Sequence, residues 1–457
     1  MRRGEYSRAS GVQFHKKNLY KFWLFAGTVL FLKIIWLFEQ QGKGILGADG
    51  ENYLEALDGL LKDGFFSQQE KLSYWPAGYP ILMWPIAKID VTNLAFLVGT
   101  LQSLLFAFST VFFARELSLI SLRKFAWPSL IMLNLSPTLS LNSVVIGYEV
   151  AASSFLLIAL SFYLRVIRLK SKSIASIEVF GAALALMLST LMQPRTLLIA
   201  VGLLVPFAFF QFRGKLIAAF LALSLAILSI APTILVLRNL QSNGYAAIST
   251  NLGVTMNIGA GPYADGGYSN NAKGVPCTLI KGNAAQQDSH KVRCVVKWYL
   301  QNPTNTLKLF VNKFFFYWSP WFGPLANGTM ARNPWLRFQP FVESAKTQDG
   351  YKMVFGFVGK IVSWGWMLGS LVLLVLGIRA LWRRGGISTL LAWMLAIPIV
   401  FNLLTSVATI GDHRFRIQTL TFSILLQMFG AYSLFSKRLF SKGMDGKTIL
   451  REGRRIS

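Results

Sequence analysis

Asp49 is the residue whose type and setting most suggest chemistry. It stands in Leu46-Gly47-Ala48-Asp49-Gly50-Glu51-Asn52-Tyr53, just after a long apolar run. Glu51, Glu55, Asp58, Asp63 and Glu70 follow, so six of the chain's 19 acidic residues fall within residues 46–80. A carboxylate at a membrane surface can serve as a general base toward an attacking hydroxyl, an effect of about a hundred- to ten-thousand-fold in rate. Asp49 also precedes an expected helix, so an N-cap role for its carboxylate stands beside the catalytic one.

A departing phosphate needs fixed cations opposite such a base, and exclusion of water strengthens them. Arg195, Lys313, Arg414 and Arg416 are placed for this. The arginine fork can bind two phosphate oxygens; the other reading of each cation is a contact with lipid head groups. Lys313 adjoins Phe314-Phe315-Phe316-Tyr317-Trp318, an unusual setting for a lone cation. Glu149 is either a second carboxylate or a solvated turn residue. In this reading Asp49 takes the proton from a hydroxyl attacking a sugar's anomeric carbon.

Composition fixes the elements that must hold these residues. The chain has 457 residues, 53% hydrophobic and 14% charged, with a mean hydropathy of +0.47. Apolar runs of about 20 residues, enough to cross roughly 30 Å of hydrocarbon, imply an all-α polytopic membrane protein. Alternating ten-residue strands are absent, which argues against a β-barrel. The net charge of +27 suits cytoplasmic loops rather than nucleic acid. Three scattered histidines, His15, His290 and His413, show no metal-ligand spacing, and no cofactor is required by the sequence; a divalent metal stays open. Cys277 and Cys294 share one polar stretch and are either a disulfide or two free thiols. No cleavable signal peptide is evident.

The charge rule then sets an expected topology of about ten spans: residues 22–38, 94–113, 126–145, 151–163, 179–191, 196–212, 216–237, 353–381, 390–410 and 419–435. Both ends lie inside, beside Arg2, Arg3, Arg8, Lys16, Lys17 and Lys21 and beside Lys437, Arg438, Lys442, Arg454 and Arg455. The first span carries Lys33, which can snorkel to the outer interface. Residues 39–90 form a first outer loop with an amphipathic helix marked by Tyr53, Leu57, Leu60 and Leu61, and a short apolar run over 79–89. Residues 239–352 form a large outer region too long for an ordinary connection. Within it, residues 307–322 are read as an outer interfacial helix rather than a span, because Arg379, Arg383 and Arg384 require the next span to end inside. Nearly every unusual polar feature thus falls on the outer face.

With these residues in order, the chain resembles the GT-C superfamily of membrane glycosyltransferases, in particular bacterial protein O-mannosyltransferases and aminoarabinose transferases. The likeness rests on Ala48-Asp49-Gly50-Glu51-Asn52-Tyr53-Leu54, on Trp75-Pro76-Ala77-Gly78-Tyr79-Pro80, on Glu149, and on Gln193-Pro194-Arg195. It continues through Asn257-Ile258-Gly259-Ala260-Gly261-Pro262, Asn302-Pro303, Lys313, Tyr317-Trp318 and Arg414-Phe415-Arg416. It implies a single GT-C-like domain over 1–457, Asp49 as catalytic base, and an inverting transfer of sugar from a polyprenyl phosphate. Glu51, Tyr53, Tyr79, Glu149, Arg195, Asn257, Lys313, Arg414 and Arg416 are implied as substrate contacts. Gly50 replaces the usual second acid, and Gly261 and Phe415 also depart from the pattern, which leaves the sugar and the glycan, lipid or protein acceptor open. No separate soluble domain follows the last span, so the outer loops are expected to select the acceptor. The implied setting is a bacterial inner membrane with the site facing the periplasm or exterior. A lipid-linked sugar flippase and a polysaccharide polymerase are the alternatives.

Overall fold

The structure, a computed structural model, describes residues 3–39, 45–46, 49–169, 173–174, 176–267, 274–278, 280–319 and 357–435. The expected basic tail from Lys437 to Arg455 and residues 320–352 of the large outer region lie outside the described residues. So do parts of the 39–90 loop, residues 40–44 and 47–48.

The chain is a membrane-type helical bundle, as its composition requires. Its elements in order are α1 (Arg3–Glu39), β1 (Ile45–Leu46), α2 (Gly50–Asp63), α3 (Lys71–Tyr74), α4 (Gly78–Ile89), α5 (Leu94–Ser118), α6 (Ala126–Leu135) and α7 (Pro137–Asn142). Then come β2 (Val145–Ile146), α8 (Tyr148–Leu169), α9 (Ile177–Met192), α10 (Thr196–Gln211), α11 (Lys215–Asn243), α12 (Leu252–Ile258), α13 (Ala284–Gln301) and α14 (Pro303–Trp318). After residues 319–356 follow α15 (Phe357–Arg384), α16 (Gly386–Ala408) and α17 (Ile417–Phe435).

Seven helices among the described residues are long and apolar enough to cross a membrane: Leu19–Phe38, Leu94–Ser118, Tyr148–Leu169, Lys215–Asn243, Trp364–Arg384, Gly386–Ala408 and His413–Phe435. Two further expected spans, α9 and α10, are apolar but only 16 residues long. The expected span over 126–145 is not one helix. Ser136 is extended and accepts from the Leu139 N–H, while Pro137, lacking an N–H, starts α7. That cap-and-proline pair stops α6 and restarts the chain.

Helix ends alternate between two faces of the bundle. At one end, buried Glu116 (0% exposed) on α5 meets Arg115 Nη1 at 2.5 Å and Arg168 Nε of α8 at 2.9 Å. Arg165 and Glu178 pair beside it at 3.3 Å. At the other end lie the starts of α8, α10 and α17 and the ends of α11 and α16. The chain leaves α11 and enters α15 at this same end: Arg238 Nη1 donates to Leu72 O at 3.1 Å, and Arg416 Nη1 meets Met367 Sδ at 3.2 Å. Close packing holds α15 to α17, where a Cβ on Gly377 would fall 1.9 Å from Leu426 O. Small residues allow such approach where apolar burial alone gives no drive between helices in lipid.

Lys33 does not snorkel. It is buried, donates to Ser143 Oγ at 2.9 Å and lies over the Phe106 ring. The amphipathic α2 turns Tyr53, Ala56, Leu57 and Leu60 inward, onto α4 and the spans, and leaves Glu51, Glu55 and Asp58 in the open. On α14, Thr306, Leu309, Lys313 and Tyr317 are buried, while Leu307, Val311, Phe314 and Phe315 form an exposed apolar face. Asn302-Pro303 sets its start, four residues before the expected one.

Candidate active site

The site begins with a pairing of two residues on each side. β1 and β2 are parallel, with Ile45 opposite Val145 and Leu46 opposite Ile146. Asp49 follows Leu46 by three residues, and Glu149 follows Ile146 by three. Two carboxylates 100 positions apart in sequence are thereby brought to the same level, each at the mouth of a helix.

Asp49 occupies the N-cap position of α2, but its carboxylate makes no capping bond. It points instead to Arg414, whose Nη2 donates to Oδ2 at 2.6 Å. The same guanidinium places Nε 3.2 Å from Glu149 Oε1. The side chains of Asp49, Glu149 and Arg414 are 13%, 17% and 15% exposed, so the cluster is sheltered yet reachable. One cation between two carboxylates offsets part of their mutual repulsion in a setting where water screens weakly.

Arg195, in the turn between α9 and α10, supplies the second cation. Its guanidinium stacks on Phe415 with Cζ 3.7 Å from the ring centre, and it lies within electrostatic reach of Glu149. Its Nε is buried, and no described group hydrogen-bonds to it. Phe415 thus holds Arg195 flat beside the Arg414 turn. An arginine stacked on an aromatic face keeps its fork free for an anion.

Tyr53 and Tyr79 are buried braces. The Tyr53 ring packs edge-on against Tyr79 at 5.0 Å and Tyr148 at 6.2 Å. Burial first, then the neighbouring Tyr148 and after it the carboxylates of Asp49 and Glu149, push its phenol well above the ordinary value. Tyr79 donates to Gln102 Oε1 at 3.0 Å and accepts from the Gly147 N–H at 2.9 Å. Gln102 Nε2 donates in turn to Val145 O at 2.8 Å. Tyr79 therefore fixes the turn that aims Glu149.

Four other expected contacts sit differently. Glu51 is exposed on α2 and does not join the cluster. Asn257 accepts from the Val275 N–H at 2.8 Å, tying α12 to residues 274–278. Lys313 is fully buried and donates to Thr409 O at 2.6 Å and Tyr299 Oη at 2.9 Å. Burial lowers its ammonium to about 7. Arg416 donates to Ser319 O at 2.9 Å and lies over Trp318. These two cations fasten α14 to the turn carrying Arg414.

Cys277 and Cys294 are neighbouring free thiols; Cys294 Sγ lies 3.6 Å from His290 Nε2, and burial, then Cys294, pushes the Cys277 thiol up to about 12. Among the described residues no three of His, Cys, Asp and Glu gather where a metal ion could be held.

Several determinants of this geometry gave no sequence signal. Asn402 is fully buried and donates to Phe415 O at 2.7 Å and Thr419 Oγ1 at 3.0 Å, which fixes the Arg414 turn. Arg238 donates to the carbonyls of Phe65, Ser67 and Leu72, clamping the loop after α2. Asn402 is a lone polar residue in an apolar run, and Arg238 opens a polar stretch with Asn239 beside it; neither setting marks a brace. No model of a known protein family matches this chain, and no curated protein matches it in sequence.

Proposed function

We propose that the protein is an inverting glycosyltransferase that moves a sugar from a polyprenyl phosphate to an acceptor hydroxyl. The observation that carries this reading is the convergence of Asp49 and Glu149 on Arg414, with Arg195 stacked alongside. Asp49 takes the proton of the acceptor hydroxyl as its oxygen bonds to the anomeric carbon. The bond from that carbon to the phosphate oxygen breaks on the opposite face, and the lipid phosphate leaves with the electron pair. Arg195 is the cation best placed to receive it, because Arg414 is engaged by both acids. Glu149 orients Arg414 and the acceptor.

In this proposal α9, α10 and the broken α6–α7 pair also cross, giving ten crossings in a GT-C-like arrangement. The exposed apolar face of α14 rests in the outer head-group region. The positive-inside rule puts both termini in the cytoplasm of a bacterial inner membrane and the Asp49 end outside. The acceptor is a glycan, lipid or protein.

Two features favour transfer over transport. The acid pair and its cations gather at one end of the bundle, and buried Lys33 is held by Ser143 rather than by a charged relay. Purified protein in liposomes, given polyprenyl-phosphate sugar and cell-envelope acceptors, should transfer sugar. Asp49→Asn should abolish transfer while the protein still inserts and folds. Full activity in that variant removes Asp49 as the base, and passage of lipid-linked sugar across vesicles without transfer favours a flippase.

A further inference from the structure

A second polar feature lies directly beneath the carboxylate cluster, where α8 meets α17. Gln418 and Thr421 are three residues apart on one face of the first turns of α17, and Arg414 lies in the short 3-10 turn His413–Arg416 that leads into that helix. Glu149 and Ser153 share a face of α8 in the same way. The two ends of this stripe are joined across the interface. Arg414 Nε lies 3.2 Å from Glu149 Oε1, and Thr421 Oγ1 lies 3.0 Å from Ser153 Oγ.

Gln418 falls between those contacts. It is 0% exposed, and among the described residues no group hydrogen-bonds to its Oε1 or its Nε2. Other buried amides keep a bond at one end: Asn134 donates to Thr110, and Asn402 to Phe415. Gln418 is the one described side chain with two buried, unpaired polar atoms. Arg195 Nε, also buried and unpaired, sits in the adjoining turn. An amide left unpaired inside a helix bundle is costly, and more so at membrane depth, so such a group marks a place where something else binds.

The chemistry of that ligand follows from the amide. One end donates and the other accepts. A phosphate only accepts and would satisfy Nε2 alone. A hydroxylated ring satisfies both ends. The rise from Arg414 through the 3-10 turn into α17 is about 7 Å, so Gln418 stands roughly one sugar ring's depth below Arg414.

We propose that Gln418 is the residue that reads the sugar: its amide donates to one ring hydroxyl and accepts from another on a carbohydrate whose anomeric carbon lies at the Asp49–Arg414–Glu149 cluster. This inference rests on the reading of the site as one for lipid-linked sugars, but it does not depend on transfer taking place.

The test is equilibrium binding to the full-length protein in lipid nanodiscs. The probes are bare polyprenyl phosphate and polyprenyl phosphate carrying glucose, mannose or aminoarabinose. The proteins are the wild type, Gln418→Met and Gln418→Leu. At least one sugar-bearing lipid should bind the wild type about ten- to a hundredfold more tightly than the bare lipid, the worth of one or two hydrogen bonds. Both variants should lose that margin, keep the affinity for bare polyprenyl phosphate, and unfold at the same or a higher temperature, because an unpaired buried amide has been replaced by an apolar group. Folded variants that keep the margin overturn the proposal. So does a wild type that prefers none of the sugar-bearing lipids. Loss of folding in both variants also overturns it, since the amide would then be satisfied from within the protein. Absence of transfer with the binding margin intact counts against the enzymatic reading alone.

Discussion

Arg414 touches Asp49 through Nη2 at 2.6 Å and Glu149 through Nε at 3.2 Å, so a single guanidinium spans both acids. Arg414→Ala removes that link. Breaking one partner out of a buried pair costs about 3–5 kcal/mol, and partial exposure here puts the loss toward the lower figure. Transfer should fall about a hundred- to a thousandfold. Arg414→Lys should recover only part of this, because an ammonium is a point charge and cannot bridge the two acids. Thermal unfolding and initial transfer rates measured on both variants check the prediction.

Tyr79→Phe deletes one hydroxyl that serves two partners, Gln102 Oε1 and the Gly147 N–H. The Gly147 N–H is then buried without an acceptor, at a cost of about 1–3 kcal/mol. Glu149 lies two residues on, so activity should fall as well. A variant with wild-type rates and stability contradicts the bracing role.

Gly78→Ala should fail where Gly27→Ala succeeds. A Cβ at Gly78 falls 1.8 Å from Leu191 O, a backbone atom just before the Arg195 turn, whereas nothing lies within 4 Å of a Cβ at Gly27. Overpacking of this kind costs about 1–3 kcal/mol or more. On α1 the same change favours the helix by up to about 1 kcal/mol. Paired melting curves in detergent separate the two.

Lys313 gives the fold a pH dependence with a definite sign. Burial lowers it from the ordinary 10.5 to about 7 in the folded protein. Between those values the unfolded chain binds the extra proton, so stability rises with pH across that window and levels off below about 7. Lys313→Met should flatten the slope of the unfolding midpoint against pH. A slope equal to the wild type's would assign the effect to another group.

Periodicity and charge bias were enough for the helical membrane class. Asp49 and Arg414 stood out because charges are scarce in so apolar a chain. Pro137 was visible too, but a proline can kink a span or divide it. Ser136 decides between these by capping a new helix, and a lone serine carries no such message in sequence. The β1–β2 pairing was illegible because two-residue strands leave no alternation to read. Lys313 and Arg416 look like ligand cations on paper; only packing reveals that carbonyls already claim them. Gln418 offered nothing, since an amide in an apolar helix is ordinary until its neighbours are known.

The equal count of residues after each short strand has an evolutionary corollary. Sliding one segment by a single step would displace its acid by about 3.3 Å and turn it to the opposite side. An insertion or deletion in either two-residue spacer, Gly47-Ala48 or Gly147-Tyr148, therefore breaks the alignment unless the other spacer changes length with it. Descendants of this chain are expected to keep both spacers at matched length.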